Sequence, residues 1–206
     1  LGDVYKRQVI SGYYSWINIS ITNVLILPAI FVGLILGGVT IYKKHLSPIT
    51  VPIYAVIQGI FLGAISYTFN SLYDGIVITA ISYTLSILFV MLTLYRTGII
   101  KPTENFKLGV AAGTGGIALI YLANFVMSFF GTGLSIMDIN NASMYSIGFS
   151  LLVIVMASLN LVVDFDFIEE GSEKRAPKFM EWYGAFGLLV TLIWLYLEIL
   201  RLLAKM

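Results

Sequence analysis

The sequence predicts an all-α, polytopic integral membrane protein, a helical bundle with six membrane-spanning helices present of an expected seven. Hydrophobic residues make up 59% of the 206 residues, charged residues only 11%, and the mean hydropathy is +0.93. In a soluble domain roughly a quarter of the residues are charged, so this chain lacks the composition of a water-exposed surface. Long apolar stretches account for most of its length.

Each of these stretches is long enough to cross a bilayer, whose apolar core of about 30 Å takes roughly 20 helical residues. The predicted spans are Val24–Tyr42, Val51–Phe69, Ile76–Tyr95, Leu108–Phe130, Met144–Val163 and Trp182–Ala204. The connections between them are short, and none has the composition of a soluble domain. We therefore expect residues 9–206 to form a single transmembrane helical domain.

The N-terminal segment needs a separate interpretation. The chain does not begin with Met, and Leu1–Gln8 (LGDVYKRQ) resembles neither a signal peptide nor a natural helix start. We interpret Leu1–Gln8 as a non-native linker sequence, and the apolar piece Val9–Ile17 as the tail of an earlier helix. An N-terminal truncation of this kind accounts for the expected seventh helix.

The distribution of basic residues among the loops predicts the orientation. Lys and Arg occur in the loops after the first, third and fifth spans, as Lys43, Lys44, Arg96, Lys101, Lys107, Lys174, Arg175 and Lys178. The alternate loops, Asn70–Gly75 and Gly131–Ser143, contain none. Because short cytoplasmic loops carry the excess of Lys and Arg, we expect the basic loops inside and the C-terminus outside.

Small residues recur at helical spacing on three of the spans. They are Gly33 and Gly37 on the first, Ala55, Gly59, Gly63 and Ser66 on the second, and Gly109 and Gly113 on the fourth. Small residues let helix backbones approach closely in lipid. Since the stripes occur on several helices, we expect contacts inside one bundle rather than a dimer interface.

Several classes of function conflict with the composition. A net charge of +1 gives no indication of a nucleic-acid partner. The absence of Cys excludes thiolate metal sites and a cysteine nucleophile, and the single histidine, His45, leaves little for a zinc site. The Gly-x-Ser-x-Gly and HExxH motifs are also absent, so we expect neither an enzyme nor a bound cofactor.

Acidic residues concentrate near the end of the fifth span. This window contains Asp164, Asp166, Glu169, Glu170, Glu173 and Glu181. Asp164 shares a helix face with Asn160, four residues earlier, and its sequence neighbours are apolar. We therefore expect Asp164 to be the most desolvated carboxylate of this window. Loss of water favours the neutral form of a carboxyl group. For Asp164, a titrating functional group and a solvated helix end are both open; for Glu169, Glu170 and Glu173 we favour solvated loop residues.

Clustered carboxylates also suit calcium, which prefers hard oxygen ligands. The stretch DFDFIEEG is not an EF-hand, because Ile168 and Glu169 stand where an oxygen ligand and a glycine are expected. A metal site here would have to be assembled from several helices, and its ligands stay unknown. On the last span, Glu198 and Arg201 are expected to pair on the helix surface in a structural role.

Two long motifs in the C-terminal third carry a resemblance to a known family. The runs LNLVVDFDFIEEG (Leu159–Gly171) and EWYGAFGLLVTLIWLYLEILRLLAKM (Glu181–Met206) resemble the bacterial, YccA-like branch of the Bax-inhibitor-1 family, the transmembrane BAX inhibitor motif proteins. The segments PIYAVIQGIFLGAIS (Pro52–Ser66) and LYRTGIIKPTENFK (Leu94–Lys107) are similar to it too. The resemblance implies a seven-helix fold in a bacterial plasma (inner) membrane.

The resemblance also implies a pH-sensitive latch. In members of the family, an aspartate at the cytoplasmic end of the penultimate helix shares a proton with a second aspartate in the last helix. Asp164 matches the first aspartate, but the second position, ten residues before Arg201, holds Thr191. A threonine cannot share a proton as a carboxylate does, so this chain departs from the two-carboxylate latch.

Other residues are candidates to complete the latch. Asp166 and Glu181 could sense pH together with Asp164. The family's basic partner falls in an earlier cytoplasmic loop, which makes Lys43, Lys44 and His45 the candidate counter-charges.

Two functions from different classes follow. The first is a pH-sensitive calcium or cation leak channel, or a regulator of ion homeostasis, with Ca²⁺ as the transported ion and Asp164 as the gate. The alternative is a non-conducting membrane interaction protein that modulates membrane proteases or other membrane partners. Cation flux in liposomes that contain only the purified protein distinguishes them.

Overall fold

A computed structural model describes residues 2–206, and Leu1 lies outside the described residues. Throughout this part of the chain the regular elements are helices: α1 (Gly2–Ile17), α2 (Ile19–Thr22), α3 (Ile26–Tyr42), α4 (Ser47–Leu72), α5 (Ile76–Arg96), α6 (Glu104–Phe129), α7 (Met144–Glu173) and α8 (Phe179–Lys205). Short 3₁₀ turns cover Asn23–Leu25, Lys44–Leu46 and Ser135–Met137.

The six predicted spans each coincide with a helical segment long and apolar enough to cross a membrane. These segments are Ile19–Tyr42, Lys44–Leu72, Ile76–Arg96, Glu104–Phe129, Met144–Glu173 and Phe179–Lys205. The prediction of a polytopic, all-α membrane bundle is confirmed. Most of these helices extend beyond the apolar stretch that predicted them, because intrahelical hydrogen bonds form in water as well as in lipid.

The largest of these extensions changes the surroundings of the acidic window. The predicted span ended at Val163, whereas α7 continues to Glu173. Glu169, Glu170 and Glu173 therefore lie on a helix, and their assignment to a loop was wrong. The helix continues because the polar end of this segment contains no proline until Pro177. Asp164 consequently lies inside a long helix and not at its end.

The N-terminal segment forms a helix. Gly2–Gln8 is continuous with Val9–Ile17 in α1, and Val4 is fully buried. The α1 helix packs closely against α4, where a side chain at Gly59 would collide with Ser11 and with the carbonyl of Gln8. The interpretation of Leu1–Gln8 as a non-native linker stays a prediction.

The predicted small-residue stripe of α4 is buried along its whole length, at Ala55, Gly59, Gly63 and Ser66. The two glycines of the pair predicted on the fourth span differ in their packing. Gly113 on α6 packs against the Met156 side chain of α7, whereas nothing lies within 4 Å of the position that a side chain would take at Gly109. The prediction of close helix packing is confirmed for α4 and for Gly113.

The chain divides into two compact units. The first unit contains residues 2–74 together with Phe167–Val190, and the second contains Gly75–Asp166 together with Thr191–Met206. The last two helices contribute to both units. Asp164 and Thr191 both belong to the second unit, and the loop Lys43–His45 belongs to the first.

Candidate functional site

The candidate site is centred on Asp164 of α7. The Thr191 hydroxyl of α8 donates a hydrogen bond to Asp164 Oδ2 at 2.5 Å. Thr191 is 8% exposed, and Asp164 is partly buried. Both residues lie within helices of membrane-spanning length. Placing a carboxylate in the apolar core of a membrane costs free energy unless polar groups bond to it. The Thr191 hydroxyl supplies such a bond to Asp164.

The two positions that the resemblance singled out are therefore neighbours. The spacing back from Arg201 located Thr191, and the structure places its side chain on the Asp164 carboxylate. The partner of Asp164 is a neutral hydroxyl, so protonation of Asp164 changes the net charge of this pair from negative to neutral.

Asn160, one turn earlier on α7, has its own partners. Its side-chain amide donates to the Thr114 hydroxyl of α6 at 2.7 Å and to the Met156 carbonyl at 2.9 Å. Asn160 thus links α6 to α7 beside Asp164. Buried amides of this kind hold helices together in lipid, because their donors have no alternative partner there.

Asp166, a candidate pH-sensing residue, has a cationic partner. Lys107 Nζ lies 2.7 Å from Asp166 Oδ2, and both side chains are partly exposed. Lys107 is in the first turn of α6, which begins at Glu104 because the Thr103 hydroxyl caps it by accepting from the Phe106 backbone N–H. The Asp166–Lys107 ion pair therefore ties the start of α6 to α7.

Glu181, the other candidate pH-sensing residue, is exposed in the first turn of α8. It lines a cavity of about 590 Å³ at the connection between α7 and α8, in the first unit. Lys174 and Arg175 line the same cavity, and Arg175 has a positive φ of 50°. Lys174 also pairs with Glu170 one turn earlier on α7.

The candidate counter-charges Lys43, Lys44 and His45 connect α3 to α4 in the first unit. All three are exposed. The Lys44 ammonium lies 5.0 Å from the centroid of the Tyr183 ring of α8, at the distance of a cation–π contact. Their role as counter-charges to Asp164 stays a prediction.

Calcium ligands do not cluster in the part of the chain that the structure describes. Among residues 2–206, no three or more His, Asp or Glu side chains come together as a metal site. Such a site would need several oxygen ligands around one ion, since Ca²⁺ takes six to eight.

A buried cluster around Glu198 lies further along α8. Glu198 and Arg201 pair as predicted, but their placement on the helix surface was wrong, because Glu198 is only 1% exposed. The Tyr121 hydroxyl of α6 donates to the same carboxylate oxygen that accepts from Arg201. Spacing of three residues predicts a pair but not which face of a helix is buried. No motif in the sequence indicated Tyr121.

Lys205, near the end of α8, is another buried charge that sequence analysis did not single out. Its ammonium donates to the carbonyls of Ile136 and Ser146 and to the Ser150 hydroxyl, at 3.0–3.3 Å. Three acceptors match the three donors of an ammonium group. Lys205 therefore fixes the end of α8 to the start of α7 and to the loop before it.

The comparisons with known proteins agree with this architecture. The family model described as Bax inhibitor 1 like matches residues 7–206. No curated protein and no solved structure matches the chain. The match extends over all six spans and over both C-terminal motifs, and it includes Asp164, Thr191 and Glu198. The chain is therefore a multi-pass integral membrane protein that belongs to the Bax inhibitor 1 like family.

Proposed function

We propose that this protein is a pH-sensitive leak channel for calcium or other cations in a bacterial plasma membrane, and that Asp164 is its titrating gate residue. The observation that carries the proposal is the position of Asp164, inside a helix of membrane-spanning length and hydrogen-bonded to Thr191. Ionisable residues within spans are rare and mark ion pathways and proton relays.

The neutral partner supports a role in gating. When Asp164 releases its proton, the pair with Thr191 gains a full negative charge that the hydroxyl does not balance. A negative charge in low-dielectric surroundings acts strongly on any cation or basic group near it. Titration of this one residue therefore changes the local electrostatic potential more than titration of a solvated acid such as Glu173, which is exposed.

The expected sign follows from the departure at Thr191. With a second carboxylate, a shared proton would strengthen closure as pH falls. With a threonine, protonation of Asp164 removes a charge and weakens its attraction to any basic group that holds the closed state. We therefore expect cation flux to rise as pH falls, and to level off once Asp164 is fully protonated.

The test is cation flux into liposomes that contain only the purified protein. A calcium-sensitive dye inside the vesicles reports entry over a series of pH values, with protein-free vesicles of the same lipids as the control. The proposal predicts flux above the control that increases with acidity. Flux no greater than that of protein-free vesicles at every pH would overturn it and favour a non-conducting protein that binds membrane proteases or other membrane partners.

A further inference from the structure

A second carboxylate inside a helix of membrane-spanning length, Glu198, lies two helical turns beyond Thr191 on the same face of α8. Its Oε1 accepts hydrogen bonds from Tyr121 and Arg201. Its Oε2 is buried and has no hydrogen-bond partner among residues 2–206. Buried polar atoms are nearly always paired, and each exception requires a physical explanation. A ligand that enters transiently is one such explanation.

A buried donor lies beside this acceptor. The indole N–H of Trp194 faces the Tyr121 hydroxyl, without a hydrogen bond of good geometry in the described chain. Trp194 and Glu198 are four residues apart, so their side chains are neighbours on the helix. An incoming hydrated cation would satisfy both groups, because Oε2 can coordinate the ion while the indole N–H donates to water that enters with it.

The cation of the pair is the more exposed partner. Glu198 is 1% exposed, whereas the Arg201 side chain is 27% exposed and also lies over the Tyr121 ring, with 5.5 Å between the guanidinium carbon and the ring centroid. Arg201 therefore has room to move away from Glu198, while Glu198 has none. With Arg201 in place, the charge of Glu198 is balanced, so the pair offers an entering cation no net negative charge.

We propose that Glu198 is a cation-binding station within the second unit, and that Arg201 is the displaceable counter-ion that closes it. One carboxylate is too few to bind a cation permanently. Weak binding of this kind suits a conduction path, because a site there must admit an ion and then release it. This inference rests on the proposed cation conduction and extends it to a second carboxylate, two helical turns beyond the partner of Asp164.

The first experiment measures cation flux in liposomes for Arg201→Gln, Glu198→Gln and the double variant. Arg201→Gln is expected to raise flux several-fold, because the competing charge is removed. Glu198→Gln is expected to lower it, and the double variant should match Glu198→Gln. Arg201→Lys keeps the charge and serves as the matched control, with flux near that of the unchanged protein. Arg201→Met, an apolar side chain suited to a span, replaces Arg201→Gln if that variant does not fold.

The second experiment measures binding without flux. Terbium ions replace calcium, in a background of Trp16→Phe and Trp182→Phe that leaves Trp194 as the single indole. Excitation of Trp194 is expected to sensitise terbium emission, more strongly with Arg201→Gln and not at all with Glu198→Gln. Emission that is insensitive to Glu198→Gln would overturn the inference.

The two experiments separate failure of this inference from failure of the proposed function. If the unchanged protein conducts and neither Glu198→Gln nor Arg201→Gln alters the flux, Glu198 is not a cation-binding site, while the proposed channel function stands. If there is no flux but terbium emission depends on Glu198, the proposed channel function is refuted, while the cation-binding site stands.

Discussion

The second unit contains two carboxylates within helices of membrane-spanning length, and residues of α8 donate hydrogen bonds to both. Asp164 accepts from a neutral threonine, whereas Glu198 accepts from an arginine and a tyrosine. Protonation changes the first cluster from negative to neutral and the pair Glu198–Arg201 from neutral to positive. In the proposed channel, the uncompensated carboxylate is the pH sensor and the compensated one controls cation entry.

The topology determines whether these clusters lie toward opposite sides of the membrane. Reporters fused after Lys44, Lys101 and Lys174 are expected to report the cytoplasm, and a reporter after Gly133 the outside, because the basic residues occur only on alternate loops. This is an all-or-none effect. Detection of the Gly133 and Lys174 fusions on the same side would refute the assigned orientation.

Arg201→Gln is expected to cause the largest loss of stability. It leaves the buried Glu198 carboxylate without its cation, and loss of one partner of a buried pair costs roughly 3 kcal/mol at the low end of the usual range. Thermal unfolding in detergent measures this loss, and the double variant Glu198→Gln/Arg201→Gln should recover most of it.

The matched control for this comparison is Lys174→Gln, which breaks an exposed pair with Glu170. Such pairs contribute about 1 kcal/mol or less. An equal decrease in unfolding temperature for Arg201→Gln and Lys174→Gln would show that the Glu198 cluster is no more important than a surface ion pair.

Thr191→Asp sharpens the comparison by giving Asp164 an ionisable partner. Because the two oxygen atoms already lie 2.5 Å apart, a second carboxylate would share protons with Asp164, and coupled sites titrate in two steps. The flux–pH curve is expected to gain a second step. The control is Thr191→Asn, which is neutral, and a single unchanged step in Thr191→Asp would show that position 191 does not contribute to sensing.

Asp166→Asn tests the remaining acid of the second unit and has the smallest expected effect. The Asp166–Lys107 pair is partly exposed, so its loss should cost about 1 kcal/mol or less. Lys107→Gln should have the same effect on thermal unfolding. We expect the flux–pH curve to move less with Asp166→Asn than with Asp164→Asn; the reverse order would identify Asp166 as the sensor.

Composition and hydropathy were sufficient to predict the six spans, because lipid requires long apolar helices. They could not predict that α7 continues to Glu173, because hydropathy falls where an apolar span ends whether the chain continues as a helix or as a loop. The family resemblance singled out position 191, ten residues before Arg201, and the structure places the Thr191 hydroxyl on Asp164. Here a motif carried three-dimensional information that composition lacks.

The rest of the site depends on contacts between residues far apart in the chain. Tyr121 and Glu198 are 77 residues apart, and Lys107 and Asp166 are 59 apart, so neither pairing follows from local spacing. The burial of Glu198 was not predicted, although α8 carries a signal for it. Thr191, Glu198 and Lys205 recur every seven residues and form one polar face of an otherwise apolar helix, and such a face packs against protein rather than lipid.

The most direct test of the central claim is the flux–pH curve of Asp164→Asn in liposomes, measured beside Glu173→Gln. Asparagine resembles the protonated aspartate in size and charge, so the variant should conduct at alkaline pH as the unchanged protein does at acidic pH, and its curve should be flat. Glu173→Gln, on an exposed acid of the same helix, should leave the curve unchanged. An Asp164→Asn curve that follows that of the unchanged protein would show that Asp164 is not the sensor.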